Sequence, residues 1–417
     1  MSTPSSSRSY CKPQYTSENV KDAVAACKSG SMTSIQAAKT FICCNSILHI
    51  FRCVLWSCPS MSMDTRFLKY TKCLVPSDLS ILGRLYLNKQ VISLLSYRGI
   101  PDSKLLVLQN KNFLWLLKSL INTSIELLDE KVVSVFPLED LTSYTELCHE
   151  PFFRQLILNS CLNNVHNLKM RAHIQIDKSK ARYMFGIIDE YDVLEYGQVF
   201  VQYSNMDSKN LFNTTVLTGP VTITKNPCHH PGDLRTFNAV DRQELRHLHD
   251  CIVFPAKGPR PDPNEIARSD LDGDEYTVIK DEDLVPLMTE NAMPYDYDAG
   301  IRQEKLDRPI TKSDIIGVVL NICEQDNIGR LSNLHLAYSD KKGLDHPETI
   351  LIAAGISKEV DAVKTGYHPY TEYEIIQLNK ALGNERPDHM ECKSYKSYPS
   401  KTILGMQNNS NTIRLRY

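Results

Sequence analysis

The 417-residue sequence has no surplus of charge of either sign: 47 basic side chains face 49 acidic ones, for a net charge of −2. That balance excludes binding of polyanions through the field of the whole molecule and leaves it to local patches. The sequence also has no Cys-x-x-Cys pair, and its 13 cysteines follow no regular spacing. With no signal peptide either, a disulfide framework is excluded and a reducing compartment is expected. Cys228-His229-His230 and His247-Leu248-His249-Asp250-Cys251 contain zinc-ligating residue types, but without a Cys-x-x-Cys pair they do not make a zinc site. Nor is any apolar run long enough to span a bilayer. Phe41 to Trp56 covers 16 residues and is interrupted by Asn45, His49 and Arg52, where a spanning helix needs roughly 20. A buried helix, or non-native sequence at a truncated end, is the expectation there, and no membrane is expected as a partner.

What is present begins with 42% hydrophobic residues, enough for a large core in two or three domains. Residues 1–36 are rich in Ser and Thr and read as poorly ordered. Residues 85–135 carry apolar side chains at helical spacing (Leu105, Leu108, Leu116, Leu117, Leu120, Ile121) and read as two or three helices, with Pro101-Asp102 opening the second. Residues 171–285 hold short β-rich segments, such as 197–203 and 216–224, separated by Pro, Gly and Asn, as in a barrel. Helix returns from about 310, with 315–323 and 373–382 as the clearest segments. Charge is unevenly spread. Lys169, Arg171, Lys178, Lys180 and Arg182 face only Asp177 within 169–182, either a solvated face or a contact for a nucleic-acid backbone.

The most specific chemistry lies in Ser269-Asp270-Leu271-Asp272-Gly273-Asp274-Glu275-Tyr276. Carboxylates at spacing two leave one face of an extended chain, and Gly273 lets the backbone bend so that three oxygens converge. Three anions at one point repel each other unless a cation sits among them, and a hard divalent ion such as Mg²⁺ suits oxygen ligands. A calcium loop of the EF-hand kind does not fit, because Glu275 and Asp281 stand where that loop needs glycine and glutamate. A solvated acidic turn remains open on these residues alone. Tyr276-Thr277-Val278-Ile279 reads as a strand, so the carboxylates sit at its mouth.

Upstream runs Val221-Thr222-Ile223-Thr224-Lys225-Asn226-Pro227-Cys228-His229-His230-Pro231-Gly232-Asp233-Leu234-Arg235, followed by Asp250-Cys251-Ile252-Val253-Phe254-Pro255. With the acidic run, this series resembles the eukaryotic RNA-dependent RNA polymerases of RNA silencing. The resemblance extends in order from about 80 to 417, through Met184-Phe185-Gly186-Ile187-Ile188-Asp189-Glu190, Asp326-Asn327-Ile328-Gly329, Val360-Asp361-Ala362-Val363-Lys364-Thr365-Gly366 and Arg386-Pro387-Asp388-His389-Met390. It implies an α+β fold, a double-psi β-barrel catalytic domain flanked by helical domains. The implied division is 1–75 with a remnant of a first barrel, 76–168 a helical linker domain, 169–290 the catalytic barrel and 291–417 a helical region. It implies Asp270, Asp272 and Asp274 as catalytic Mg²⁺ ligands (Mn²⁺ as substitute), with Gly273 permitting their approach. Arg235 and Lys364 are implied as nucleotide or RNA contacts; for Arg235 the competing reading is a salt bridge to a barrel carboxylate such as Asp233. Single-stranded RNA template, nucleoside triphosphates and silencing-complex proteins are the implied partners, in the cytoplasm or in and around the nucleus. His230 and Gly232 are expected to serve the turn, Gly232 through a positive φ, and Asn333 and His335 to pack helices on the barrel.

The sequence departs from the family in one place. Cys58-Pro59-Ser60-Met61-Ser62-Met63 carries Cys58 and Met63 where the family has arginine and lysine, and about 80 residues precede the matched region. Two cations that would meet phosphates are therefore missing. The alternative expectation is a truncated, inactive fragment that binds RNA or a partner.

Overall fold

The computed structural model describes residues 85–121, 150–204, 214–286, 291–297, 308–324, 327–362 and 367–410. The expectations for 1–36, 41–56, Cys58, Met63 and Lys364 fall outside these residues. The chain divides into two compact units; the described residues of the smaller are 308–324, 327, 359–362 and 367–368.

In the larger unit, strand β1 (Leu85–Leu87) leads into helices α1 (Lys89–Tyr97), α2 (Asp102–Ile121) and α3 (Pro151–Arg171), and strand β2 (Ile174–Ile176) pairs back on β1 antiparallel. Local chemistry sets these boundaries. The Asn88 side chain accepts from Val91 N at 2.9 Å to start α1, and Pro101 precedes α2 as expected. Glu150 caps α3 on Phe152 and Phe153 N, with Pro151 in the first turn, where its missing N–H costs nothing. Ala172, at φ 52°, ends α3 in the left-handed region. Leu94, Leu95, Leu105, Ile157, Leu168, Ile174 and Ile176 bury the facing sides in one apolar cluster.

Seven strands follow: β3 (Ala181–Ile188), β4 (Gln198–Ser204), β5 (Thr214–Val216), β6 (Gly219–Lys225), β7 (Arg235–Ala239), β8 (Cys251–Phe254) and β9 (Glu275–Ile279). Six close a ring in the order β4-β7-β6-β9-β3-β8 and back to β4, while β5 extends β4 outside it. The pairs β4/β7 and β3/β8 are parallel and the other four antiparallel. Closure leaves the ring without a free edge. Alternation assigns the faces: Met184, Val199, Val201, Val221, Ile223, Phe237, Ile252, Phe254, Tyr276 and Val278 form one cluster, whereas Phe200, Cys251 and Val253 turn to a second with Leu194 and Leu245. The segment 216–224 divides at Leu217 and Thr218, between β5 and β6. A single-turn helix, α4 (Asp262–Glu265), links β8 to the acidic loop.

In the smaller unit lies α5 (Lys312–Glu324), started by Asp314, which accepts from Thr311 N and pairs with Arg308, both at 2.7 Å. In the larger unit, helices α6 (Ile328–Lys342), α7 (Pro347–Val360) and α8 (Glu372–Ala381) share a core of Leu331, Leu334, Tyr338, Ile352, Ile356 and Ile375. Strands β10 (Glu385–Pro387) and β11 (Lys396–Tyr398) pair in parallel before α9 (Ile403–Asn409). Asp340 ties this end together, accepting from Ser400 and Thr402 hydroxyls, Tyr398 OH and the His389 ring. Burial alone would raise its carboxyl; the bonds from His389, Ser400, Thr402 and Tyr398 outweigh it and hold the group below the usual range.

Candidate metal centre

The acidic run is a bend between α4 and β9 rather than an extended strand, so the pleat is not what gathers its carboxylates. Leu271 at φ 62° and Gly273 at φ 119° fold the chain between the aspartates. A Cβ at Gly273 would meet nothing within 4 Å, so glycine is needed there for its backbone conformation rather than for space. In this bend Asp270, Asp272 and Asp274 each bring a carboxylate oxygen within 4.8 Å of the others. Asp270 and Asp272 are exposed and Asp274 half-buried.

Asp274 is fixed from three sides. Its Oδ1 meets Lys225 Nζ at 2.6 Å. Its Oδ2 accepts from Ser269 Oγ and, at 3.2 Å, from Asp270 N. Ser269 Oγ also bonds Tyr276 OH. Burial first, and the three aspartates second, push the Tyr276 phenol upward, so it remains a neutral donor to the serine. Gly186 of β3 donates from N to Asp274 O at 3.3 Å. A Cβ at Gly186 would overlap the Tyr276 ring and come within 2.8 Å of Leu271 Cδ2. The motif glycine therefore lets β3 press against the loop.

Lys225 was missed as a site residue from sequence. It ends β6 in register with Tyr276 of β9, which places its ammonium beside the loop. The signal was its place in the Thr-Lys-Asn-Pro motif; the strand register connecting that motif to the aspartates is a tertiary fact.

Arg235 begins β7 and is buried, with NH2 at 2.6 Å from Glu265 Oε2 and NH1 donating to Ala292 O at 3.2 Å. The guanidinium thus engages a barrel-end carboxylate, Glu265, rather than Asp233. Tyr196 OH donates to the same Glu265 at 2.9 Å. Asp233 closes the His-Pro-Gly-Asp turn, accepting from His229 N and His230 N at 2.9 Å each and from Tyr297 OH at 2.8 Å. Burial nevertheless pushes its carboxyl up to about 6. His230 serves the turn by accepting from Gly232 N at 3.0 Å, and burial lowers its imidazole to about 4, so it is neutral.

Gly232 does not take the positive φ expected of it. It sits inside a 3-10 turn, Pro231–Asp233, and is needed for room: a Cβ would lie 2.7 Å from Met293 O. His335 of α6 packs edge-on against His229, ring centroids 4.9 Å apart, as expected, whereas Asn333, given the same role, is exposed.

These residues fit a hard divalent ion: three oxygen donors converge, two open to solvent and the third braced by a hydroxyl and an ammonium.

Comparison with known proteins adds the following. The family described as "RNA dependent RNA polymerase" (RdRP) matches residues 79–407. RNA-dependent RNA polymerase 1 of Arabidopsis thaliana is 35% identical over 329 residues, covering 77% of this chain and 28% of the relative. Probable RNA-dependent RNA polymerase 1 of Oryza sativa subsp. japonica is 33% identical, covering 77% of this chain and 42% of the relative. The structure of the RNA dependent RNA polymerase QDE-1 from Thielavia terrestris superposes with a TM-score of 0.59 at 20% identity, covering 79% of this chain and 41% of that one. That likeness extends to the six-strand closed barrel with its helices, a double-psi β-barrel in an α+β fold. The chain thus spans about a quarter to two fifths of the length of these curated relatives.

Proposed function

This chain belongs to the RNA-dependent RNA polymerase family, and we propose that it is a polymerase that copies single-stranded RNA into complementary RNA for gene silencing by metal-dependent nucleotidyl transfer. The observation that carries this reading is the convergence of Asp270, Asp272 and Asp274 at the mouth of β9, within a matched region covering residues 79–407. Nucleoside triphosphates are the second substrate, Mg²⁺ the proposed ion with Mn²⁺ as substitute, and silencing-complex proteins the proposed partners, in the cytoplasm or in and around the nucleus.

Asp270 and Asp272 offer their exposed oxygens to the ion, and Asp274 is oriented by Ser269 and Lys225. When bound, divalent metal makes a 3′-hydroxyl more acidic and neutralises charge on the leaving pyrophosphate. Lys225 offsets one carboxylate charge, limiting repulsion within the triad while no ion is present. Lys364 is proposed as a nucleotide contact, so Lys364→Gln raises the KM for nucleoside triphosphate. An unchanged KM removes it from the site.

The test is primer extension by this chain with labelled nucleotides and Mg²⁺, beside Asp272→Asn. Incorporation by the parent, lowered at least about 100-fold in the variant, is expected. Incorporation that survives Asp272→Asn overturns the triad's role. RNA binding by the parent with no incorporation, even with Mn²⁺, establishes the inactive-fragment alternative.

A further inference from the structure

Away from the aspartates, β1, β2, α2 and α3 enclose a cavity of about 200 Å³. Tyr86, Leu116 and His173 contribute its rings and its apolar wall, and the remaining lining is amide: Asn112, Asn163, Asn164, Asn167 and Gln175. The arrangement follows from local structure. Tyr86 and Gln175 are cross-strand partners, so they share one face of the β1/β2 ribbon. Asn163, Asn164 and Asn167 lie within about a turn of one another on α3, and Asn112 sits on α2, which packs against α3.

None of the five amide side chains, nor the His173 ring, makes a hydrogen bond to another described residue. Asn163 is exposed and the other four amides are half-buried, so their donors and acceptors reach solvent and can exchange water for the polar edge of a ligand. Five such groups around one space form a set of donors and acceptors open to a ligand. Among the described residues no ionised side chain lines the cavity, so none of them offers a charged group a counter-ion. Among the described lining residues Leu116 is the one aliphatic side chain, which makes a purely apolar ligand a poor match. Burial first and Arg171 second lower the His173 imidazole, so it too is neutral and presents one donor and one acceptor. The volume is below the roughly 300–1,000 Å³ of drug-sized sites, which suits one small planar ring system. The Tyr86 and His173 rings, 5.9 Å apart and inclined at 32°, offer π faces. Arg171, exposed at the end of α3, is near enough to act on His173 and supplies a cation for a phosphate attached to such a ring.

We propose that this cavity is a binding site for an unpaired nucleobase, held by the amides of Asn112, Asn164, Asn167 and Gln175 against Tyr86 and His173. The shared chemistry is an uncharged heterocycle bearing a phosphate, from single-stranded RNA or from a free nucleotide. The choice of a nucleobase rests on the polymerase reading above, but the site is separate from the aspartates and can be tested apart from them.

The experiment is photocrosslinking of the full chain with a short single-stranded RNA carrying one thiouridine, mapped by mass spectrometry. A parallel arm uses thiouridine monophosphate. Crosslinks are expected on the peptides containing Tyr86 or His173. They should fall about tenfold in Asn164→Leu/Asn167→Leu, the loss of about 1.4 kcal/mol, and persist in Asp272→Asn. Crosslinking by the strand alone identifies RNA as the source; equal crosslinking by the mononucleotide at matched concentration identifies a free nucleotide. Affinity for an RNA with an abasic nucleotide, compared with the intact strand by calorimetry, gives a second readout that needs no variant. Crosslinks confined to other peptides, or a yield unchanged in the asparagine variant, overturn the proposal. Loss of incorporation in Asp272→Asn with these crosslinks retained would separate the two sites.

Discussion

At the scale of the residue, the three aspartates are not equivalent. Asp274 accepts from Ser269 and Asp270 N and pairs with Lys225, while Asp270 and Asp272 reach solvent. A cation bound by the triad must share Asp274 with the Lys225 ammonium. Lys225→Met is therefore expected to tighten Mn²⁺ binding by about tenfold (1.4 kcal/mol), measured by calorimetry; weaker binding would show that the lysine assists the ion. Arg235 poses a different question, because it was read as a nucleotide contact and is found in a buried pair with Glu265. Removing one partner of such a pair leaves the other charge uncompensated. Arg235→Gln is expected to lower folding stability by about 3–5 kcal/mol in denaturant titration. An intact stability with a raised KM for nucleotide would return the arginine to phosphate binding.

At the scale of the element, the acidic loop depends on the strand behind it. Gly186 leaves β3 without a side chain where Tyr276 and Leu271 press closest. Gly186→Ala is expected to displace the loop at a cost of about 1–3 kcal/mol and to weaken Mn²⁺ binding, read by thermal melting and calorimetry. The strand itself was legible: β-branched and aromatic content marked 276–279, and β9 covers Glu275–Ile279. Pro101-Asp102 likewise marked the start of α2, because a proline just ahead of a helix and an acid in its first turn act locally. The bend at Leu271 was not legible. A leucine at positive φ has no local signature, and the hydrogen bonds to Asp274 that accompany the bend are set by the folded loop. At the other end of the larger unit, the Arg-Pro-Asp-His-Met motif gains a structural account, since His389 bonds Asp340. Asp340→Ala would leave His389, Ser400, Thr402 and Tyr398 without their shared acceptor, and a loss of about 1–3 kcal/mol or more is expected in thermal melting.

At the scale of the whole molecule, buried ionisable groups make stability depend on pH in opposing ways. Burial lowers His229 and His230 to about 4 and also holds His335 well below its ordinary value. Between pH 6.5 and 4 the unfolded chain binds protons at these positions and the native chain does not, so acidification removes stability. Burial raises Asp233 and Asp262 to about 6, so from pH 6 down toward 3.8 the native chain binds protons first and regains some stability. Among the described residues His173 adds to the three histidines and Glu275 to the two carboxyls, each shifted by burial in the same direction as its group, so the histidines still outnumber the carboxyls. The melting temperature is expected to fall between pH 7 and 5, most steeply near pH 6, where the unfolded histidines are mostly protonated and the buried carboxyls only half so. His229→Asn should flatten that slope; a slope unchanged in the variant would exclude His229 as a source.

By itself the sequence determined the family, the short-strand barrel class and the three aspartates, because strand content, turn residues and an ordered motif series are written in local chemistry. Only the tertiary structure decided that β6 lies beside β9, and with it that Lys225 meets Asp274. It also decided that Arg235 turns to Glu265 and that five amides gather around one cavity. Each of these joins residues distant in sequence, and such contacts are fixed by strand register and helix packing, which no local pattern specifies.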